Sequence, residues 1–87
     1  MKQVRIRIFG GVQGVFFRDS AKEYAESRGI SGWIINMPDG TVEVVAQGVE
    51  GAVRDFISWC RKGSPSAKVD RVEVVEEGLS GNFESFE

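Results

Sequence analysis

The sequence has 87 residues, 41% of them hydrophobic and 28% charged, with a formal net charge of −2; these values fit one globular domain with a single core. This charge provides no general basic field, so we expect neither nucleic acid nor an anionic membrane as a partner. The chain contains no histidine and one cysteine, Cys60, which excludes a Ser-His-Asp triad, a Cys-His pair, an internal disulfide and a histidine or thiolate metal site. Any catalysis must therefore use arginine, amides, backbone groups and water.

The first two predicted elements flank a glycine-rich segment. Residues 2–9 alternate between polar and apolar side chains, which predicts a half-buried strand with Val4, Ile6 and Ile8 on its inner face. The segment FGGVQGVFFR follows at residues 9–18. An apolar stripe at helical spacing then predicts a helix that begins near Phe17 and ends at Gly29.

The middle of the chain predicts a hairpin and a second helix. Residues 32–37 and 41–47 are typical of strands, and the sequence Pro-Asp-Gly at residues 38–40 predicts the turn between them. Apolar residues recur at helical spacing from Val49 to Cys60, and Gly63 and Pro65 end this predicted helix. Cys60 falls on its core face, where we expect a small hydrophobe.

The last part of the chain completes the order βαββαβ. Residues 69–76 predict a fourth strand with Val72 and Val74 turned inward, and residues 83–86 suit a short fifth strand. This order predicts an α+β fold of the ferredoxin-like α/β sandwich type, with two helices on one face of a mostly antiparallel four- to five-stranded sheet, and residues 1–87 forming one domain. Because many unrelated functions use this fold, function must be argued from a site.

The glycine-rich segment is the candidate anion site. Glycines at positions 10, 11 and 14 allow backbone N–H groups to turn inward around an anion beside a helix N-terminus, which also favours negative charge. Arg18 lies in the first helical turn, and its planar guanidinium can bind two phosphate oxygens. Taken alone, the glycines are explained as simply as a turn, Arg18 as a solvated side chain and Asn36 as a turn residue.

Two motifs add to this interpretation. Residues 10–18 read GGVQGVFFR and residues 32–43 read GWIINMPDGTVE. Both resemble the signature motifs of the acylphosphatases, and the resemblance covers essentially the whole chain. It implies hydrolysis of acyl phosphates to a carboxylate and inorganic phosphate, without a metal, a cofactor or a covalent intermediate.

The resemblance also implies roles for individual residues. Arg18 would bind the phosphoryl oxygens and Asn36 would hold the attacking water. Main-chain donors would come from the loop formed by Gln13, Gly14, Val15, Phe16, Phe17 and Arg18. The carboxylate is a good leaving group, so we expect no general acid and expect the substrate phosphate to take the proton of the water. Ile35, Gly11 and the end of the chain soon after Phe86 differ from the common pattern, which bears on substrate preference and edge stability.

Three other functions are open. A module acting on carbamoyl phosphate, as in larger hydrogenase-maturation proteins, is disfavoured because the 87-residue chain carries no further domain. An RNA-binding module is disfavoured because the strand TVEVVAQ has no aromatic residue on which a base could stack. A non-catalytic anion sensor would bind phosphate at the same loop and gain nothing from Asn36.

We expect further properties from the sequence. The single cysteine, the absence of an apolar leader and the absence of an apolar run of eighteen residues predict a cytoplasmic protein, and we expect a monomer. Trp33 and Trp59 are predicted to pack rather than bind a ligand, and Phe16 and Phe17 to anchor the loop to the core, although one of the two phenylalanines could touch the acyl group.

Overall fold

The computed structural model describes residues 1–81 and 83–87, and these contain six elements in the order βαββαβ. The strands are β1 (Lys2–Gly11), β2 (Ser31–Asn36), β3 (Val42–Gly48) and β4 (Lys68–Glu77), and the helices are α1 (Phe17–Ser27) and α2 (Glu50–Lys62). All neighbouring strands are antiparallel, in the order β2-β3-β1-β4. The predicted ferredoxin-like sandwich is confirmed, and the predicted bounds of the four strands and two helices lie within about two residues of the observed bounds.

The core lies between the helices and one face of the sheet. Val4, Ile6 and Ile8 of β1 are at most 3% exposed, as their alternation predicts. Beside them in register lie the buried β3 residues Ala46, Val44 and Val42. The helices contribute the buried residues Phe17, Ala21, Ala25, Val53, Phe56 and Cys60. The predicted core position of Cys60 is confirmed, and burial raises the pKa of its thiol.

Aromatic rings join the two helices. The Trp59 ring of α2 lies 5.3 Å from that of Phe17 and 5.7 Å from that of Tyr24, measured between centroids. These contacts give Trp59 the packing role expected of it. Trp33 lies on the opposite face of the sheet, where the Arg5 guanidinium is 5.5 Å from its ring centroid.

The last part of the chain follows the sequence prediction only in part. Val74 points to the helix side as predicted, since it pairs with the buried Ile6, but it is 36% exposed because β4 is an edge strand. Of the residues described between 83 and 86, only Phe86 forms a β-bridge, a single parallel one to Gly32. Phe86 is nevertheless fully buried, with its ring edge-on to Phe56 at 5.7 Å. A tail thus closes the core where a fifth strand was expected.

Candidate active site

A cleft of about 260 Å³ lies between the β1–α1 loop and the end of β2. Its lining residues are Val12, Gly14, Phe16, Phe17, Arg18, Asp19 and Asn36. The fold creates this proximity because β1 and β2 both run antiparallel to β3. Their carboxyl ends therefore lie at the same end of the sheet, with Ile8 and Asn36 both paired to Val42.

The cleft brings together most of the residues singled out in the sequence. Arg18 and Asn36 both line it with exposed side chains. Asn36 lies on the same face of β2 as the buried Ile34, and that is the face on which the helices lie. Gly14, Phe16 and Phe17 line the cleft as well, whereas Gln13 and Val15 are outside its lining.

The backbone of the loop leaves a run of donors without partners. Within residues 1–81 and 83–87, no hydrogen bond has as its donor a backbone N–H of residues 13–19. Helix α1 begins after Phe16, which has no side-chain oxygen to accept from the first-turn N–H groups as a serine or aspartate would. Gly14 and Phe16 have φ values of 75° and 61°, and such left-handed residues curve successive N–H groups into an anion-binding concavity. The loop can therefore bind an anion through its backbone.

Gln13 has a structural role that sequence reasoning missed. Its side-chain Nε2 donates to the carbonyl of Met37 at 2.8 Å and to that of Thr41 at 2.9 Å. The amide thus ties the loop to the β2–β3 turn, directly beyond Asn36, and holds the two sides of the cleft together. No local pattern could have revealed this contact, since its partners lie 24 and 28 positions along the chain.

The β2–β3 turn is itself ordered by Asp39. Its carboxylate accepts from the backbone N–H of Thr41 at 3.0 Å and from the Thr41 hydroxyl at 2.6 Å. These bonds, first the one from the hydroxyl, lower the pKa of Asp39 below its usual range. An ionised Asp39 therefore stabilises the turn that follows Asn36.

The two phenylalanines of the loop differ in burial. Phe17 is 1% exposed and anchors the loop to the core as predicted. The same prediction for Phe16 is wrong, since its side chain is 75% exposed. The reason is positional: Phe17 occupies the first core-facing position of α1, and the residue before it falls on the solvent side of the cleft.

The described residues contain neither a cluster of metal-ligating side chains nor a helix able to span a membrane. No group of three or more His, Cys, Asp or Glu side chains in residues 1–81 and 83–87 is placed to hold a metal ion. In the same residues, neither helix is long and apolar enough to cross a membrane.

Comparison with known proteins gives consistent matches along the chain. A family model described as Acylphosphatase matches residues 4–87. An acylphosphatase of Rubrobacter xylanophilus is 54% identical over 99% of this chain and 78% of its own length. One from Methylococcus capsulatus is 43% identical over 99% of this chain and 94% of its own. The crystal structure of acylphosphatase from Bacillus subtilis has a TM-score of 0.95 at 38% identity, covering 99% of this chain and 96% of that one.

Proposed function

The chain belongs to the acylphosphatase family, and we propose that it hydrolyses acyl phosphates in the cleft between the β1–α1 loop and the end of β2. The observation that carries this location is the run of backbone N–H groups at residues 13–19, for which the described residues provide no acceptor. Five of these residues, Gly14, Phe16, Phe17, Arg18 and Asp19, line the cleft together with Asn36. The site thus combines the groups that a phosphate dianion and an attacking water require.

The phosphoryl group would be bound by backbone and arginine together. The N–H groups around Gly14 and Phe16 and the N-terminus of α1 favour an anion. The Arg18 guanidinium adds a positive charge and a planar pair of donors for two phosphoryl oxygens. This local arrangement can hold a dianion although the chain as a whole has a net charge of −2.

The attacking water would be held by Asn36. An amide side chain both donates and accepts hydrogen bonds, so it can orient a water without acting as a base. Phosphoryl transfer passes through a loose transition state, in which positioning and charge stabilisation supply most of the catalysis. The leaving carboxylate needs no proton from the protein, and the substrate phosphate can take the proton of the water. The reaction would then need no metal.

The test is hydrolysis of benzoyl phosphate in the presence of EDTA, followed by ultraviolet absorbance. We expect rapid turnover by the wild type and a loss on the order of 10²–10³-fold in Asn36→Ala, the usual effect of removing one positioned donor. Arg18→Ala should lose both turnover and inhibition by inorganic phosphate, whereas Asn36→Ala should keep that inhibition. Arg54→Ala is the matched control, since this exposed arginine of α2 is not part of the cleft lining.

Circular dichroism establishes that each variant is folded. A folded wild type that binds phosphate without turnover would contradict the proposal and indicate an anion sensor. Carbamoyl phosphate is assayed in parallel, and a strong preference for it would favour the alternative substrate. The cytoplasmic location, the monomeric state and the absence of a nucleic-acid partner remain predictions.

A further inference from the structure

We propose that Ser64 is a positioning residue for this reaction: it fixes the peptide plane between Val15 and Phe16 so that the N–H of Phe16 points into the phosphate cleft. The inference rests on the proposed function, which makes that cleft the phosphate site. Ser64 lies 49 positions along the chain from Val15, just after α2, and outside the cleft lining.

The inference rests on a hydrogen bond between the residue Ser64, which follows α2, and the β1–α1 loop. The Ser64 hydroxyl donates to the carbonyl oxygen of Val15 at 2.8 Å, and Ser64 is 4% exposed. Because Ser64 is buried, little water competes for its hydroxyl, and the hydrogen bond is stronger than one between two exposed groups. The Val15 carbonyl is therefore held in one direction.

Holding that carbonyl also sets the direction of the next N–H. A peptide unit is planar and trans, so the C=O of Val15 and the N–H of Phe16 point to opposite sides of the chain. The N–H of Phe16 thus points away from Ser64, and Phe16 lines the cleft. Within the part of the chain that is described, this N–H has no acceptor, as a donor reserved for a ligand should be.

The conformation of Phe16 favours a rotation of the same peptide plane. Phe16 has a φ of 61°, a left-handed conformation that is unfavourable for a bulky side chain. Rotating the Val15–Phe16 plane by half a turn would return φ to a negative, relaxed value, and it would turn the N–H out of the cleft. The hydrogen bond from Ser64 opposes this rotation because it would be lost.

Ser64 is itself rigidly placed. Helix α2 ends at Lys62, and the next residue, Gly63, has a φ of 77° and an N–H that donates to the carbonyl of Trp59 at 2.7 Å. The carbonyl of Ser64 then accepts from the N–H of Ala67 at 3.0 Å and closes a turn. The hydroxyl is thus presented to the loop by a fixed backbone on both sides.

The experiment compares Ser64→Ala with the wild type in three measurements: kcat/KM for benzoyl phosphate, the inhibition constant of inorganic phosphate, and the ¹H–¹⁵N shift of the Phe16 amide during a phosphate titration. We expect kcat/KM to fall by about 10–100-fold, because complete removal of one positioned donor commonly costs on the order of 10²–10³-fold and here the donor is only misdirected. Inhibition by inorganic phosphate should also weaken. The Phe16 amide should lose its response while the Gly14 amide keeps one. Ser27→Ala is the matched control, since its hydroxyl donates to the Tyr24 carbonyl at 2.7 Å, away from the loop.

The outcomes separate this inference from the proposed function. A folded Ser64→Ala variant whose Phe16 amide still responds to phosphate as in the wild type overturns the role of Ser64, whatever the activity. If the wild type has no turnover, the proposed function fails, and the amide titration still decides whether Ser64 aims the N–H. If Ser64→Ala does not fold, the isosteric pair Ser64→Thr and Ser64→Val replaces it. A threonine that keeps the response and a valine that loses it support the role, and equal responses overturn it.

Discussion

Phe16 shows how a single residue of the loop departs from ordinary local preference. Its φ is 61°, the only positive φ among the described non-glycine residues, and its side chain is 75% exposed. A left-handed conformation costs an L-residue roughly 1–2 kcal/mol. Neither burial of the ring nor a helix cap offsets this cost. The conformation is better explained by what it does to the backbone, since it helps to curve the N–H groups around the cleft.

This strain predicts that glycine is more stable than phenylalanine at position 16. We expect Phe16→Gly to raise the free energy of unfolding by about 0.5–1 kcal/mol, after the greater freedom of glycine in the unfolded chain is subtracted. Urea denaturation measures the change. Phe16→Ala is the control because it removes the ring and keeps the unfavourable φ. If alanine stabilises the protein as much as glycine does, the left-handed conformation is not the source of the effect.

The strands of the sheet are tied together across their open face by ion pairs. The Glu43 carboxylate of β3 accepts from Arg5 Nη1 at 2.6 Å and from Arg7 Nη2 at 2.9 Å, both on β1. Arg5 Nε also donates to Glu77 of β4 at 3.3 Å. The Glu43 side chain is only 12% exposed, so water competes weakly for it. The network thus joins three neighbouring strands.

From the ion pairs of Glu43 we expect the free energy of unfolding to fall at acidic pH. The hydrogen bond from Arg7, followed by the one from Arg5, lowers the pKa of Glu43 below its usual 4.5. A carboxyl group whose pKa is lower in the folded than in the unfolded protein stabilises the fold at pH values above the unfolded pKa. This contribution is lost as the pH falls below 4.5 towards the folded pKa. Glu43→Gln should therefore lower the free energy of unfolding by about 1–2 kcal/mol near neutral pH, since the arginines are partly exposed.

The measurement is urea unfolding of both proteins at a series of pH values. The difference between wild type and Glu43→Gln should be constant well above pH 4.5 and should shrink below it. Glu73→Gln is the control, because its ion pair with Arg71 has both side chains more than half exposed. A difference that did not change with pH would mean that packing, not charge, accounts for the role of Glu43.

The helices and strands could be predicted from local sequence patterns more readily than the contacts between them. The alternation in β1 and the helical spacing in α2 were enough to predict both, because each periodicity is contained within one segment. The exposure of Val74 was not predicted, since alternation gives the face of a strand and not its place at the edge of the sheet. The hydrogen bonds of Gln13 and Ser64 to distant carbonyls could not be predicted either, because a polar side chain in a loop has no periodicity that indicates its partner.

At the scale of the whole molecule, the proposed active-site cleft and the contacts that close the core lie at opposite ends of β2. Asn36 ends the strand at the cleft. Near its beginning, Gly32 donates to the carbonyl of Ser85 at 3.0 Å and accepts from the N–H of Glu87 at 2.9 Å. Gly32 has a φ of 140°, and a Cβ there would lie 1.9 Å from the Val45 carbonyl oxygen. The close approach of β2 to β3 therefore requires glycine at position 32, which is the first residue of the second motif.

The residues just after β4 are also bound at this end of the sheet, where Gln3, Gln47 and Ser31 lie side by side. Gln3 Nε2 donates to Glu77 Oε1 at 2.7 Å and to the Ser80 hydroxyl at 3.0 Å. The backbone N–H of Ser80 donates to Gln3 Oε1 at 3.1 Å, and Gln47 Nε2 donates to the same oxygen at 3.0 Å. The start of the tail is thus fixed by buried amides of β1 and β3, and its end by Phe86.

This separation predicts that stability can be lost at the tail without loss of catalysis. Phe86 is fully buried against Phe56, so Phe86→Ala should lower the free energy of unfolding by about 3–5 kcal/mol. Leu79→Ala, which removes a 56% exposed side chain from the same tail, should change it by less than about 0.5 kcal/mol. Urea unfolding measures both, and kcat for benzoyl phosphate, taken well below each unfolding midpoint, should stay within about twofold of the wild type. A kcat lost in proportion to stability would instead mean that the core end of β2 controls the geometry of the cleft.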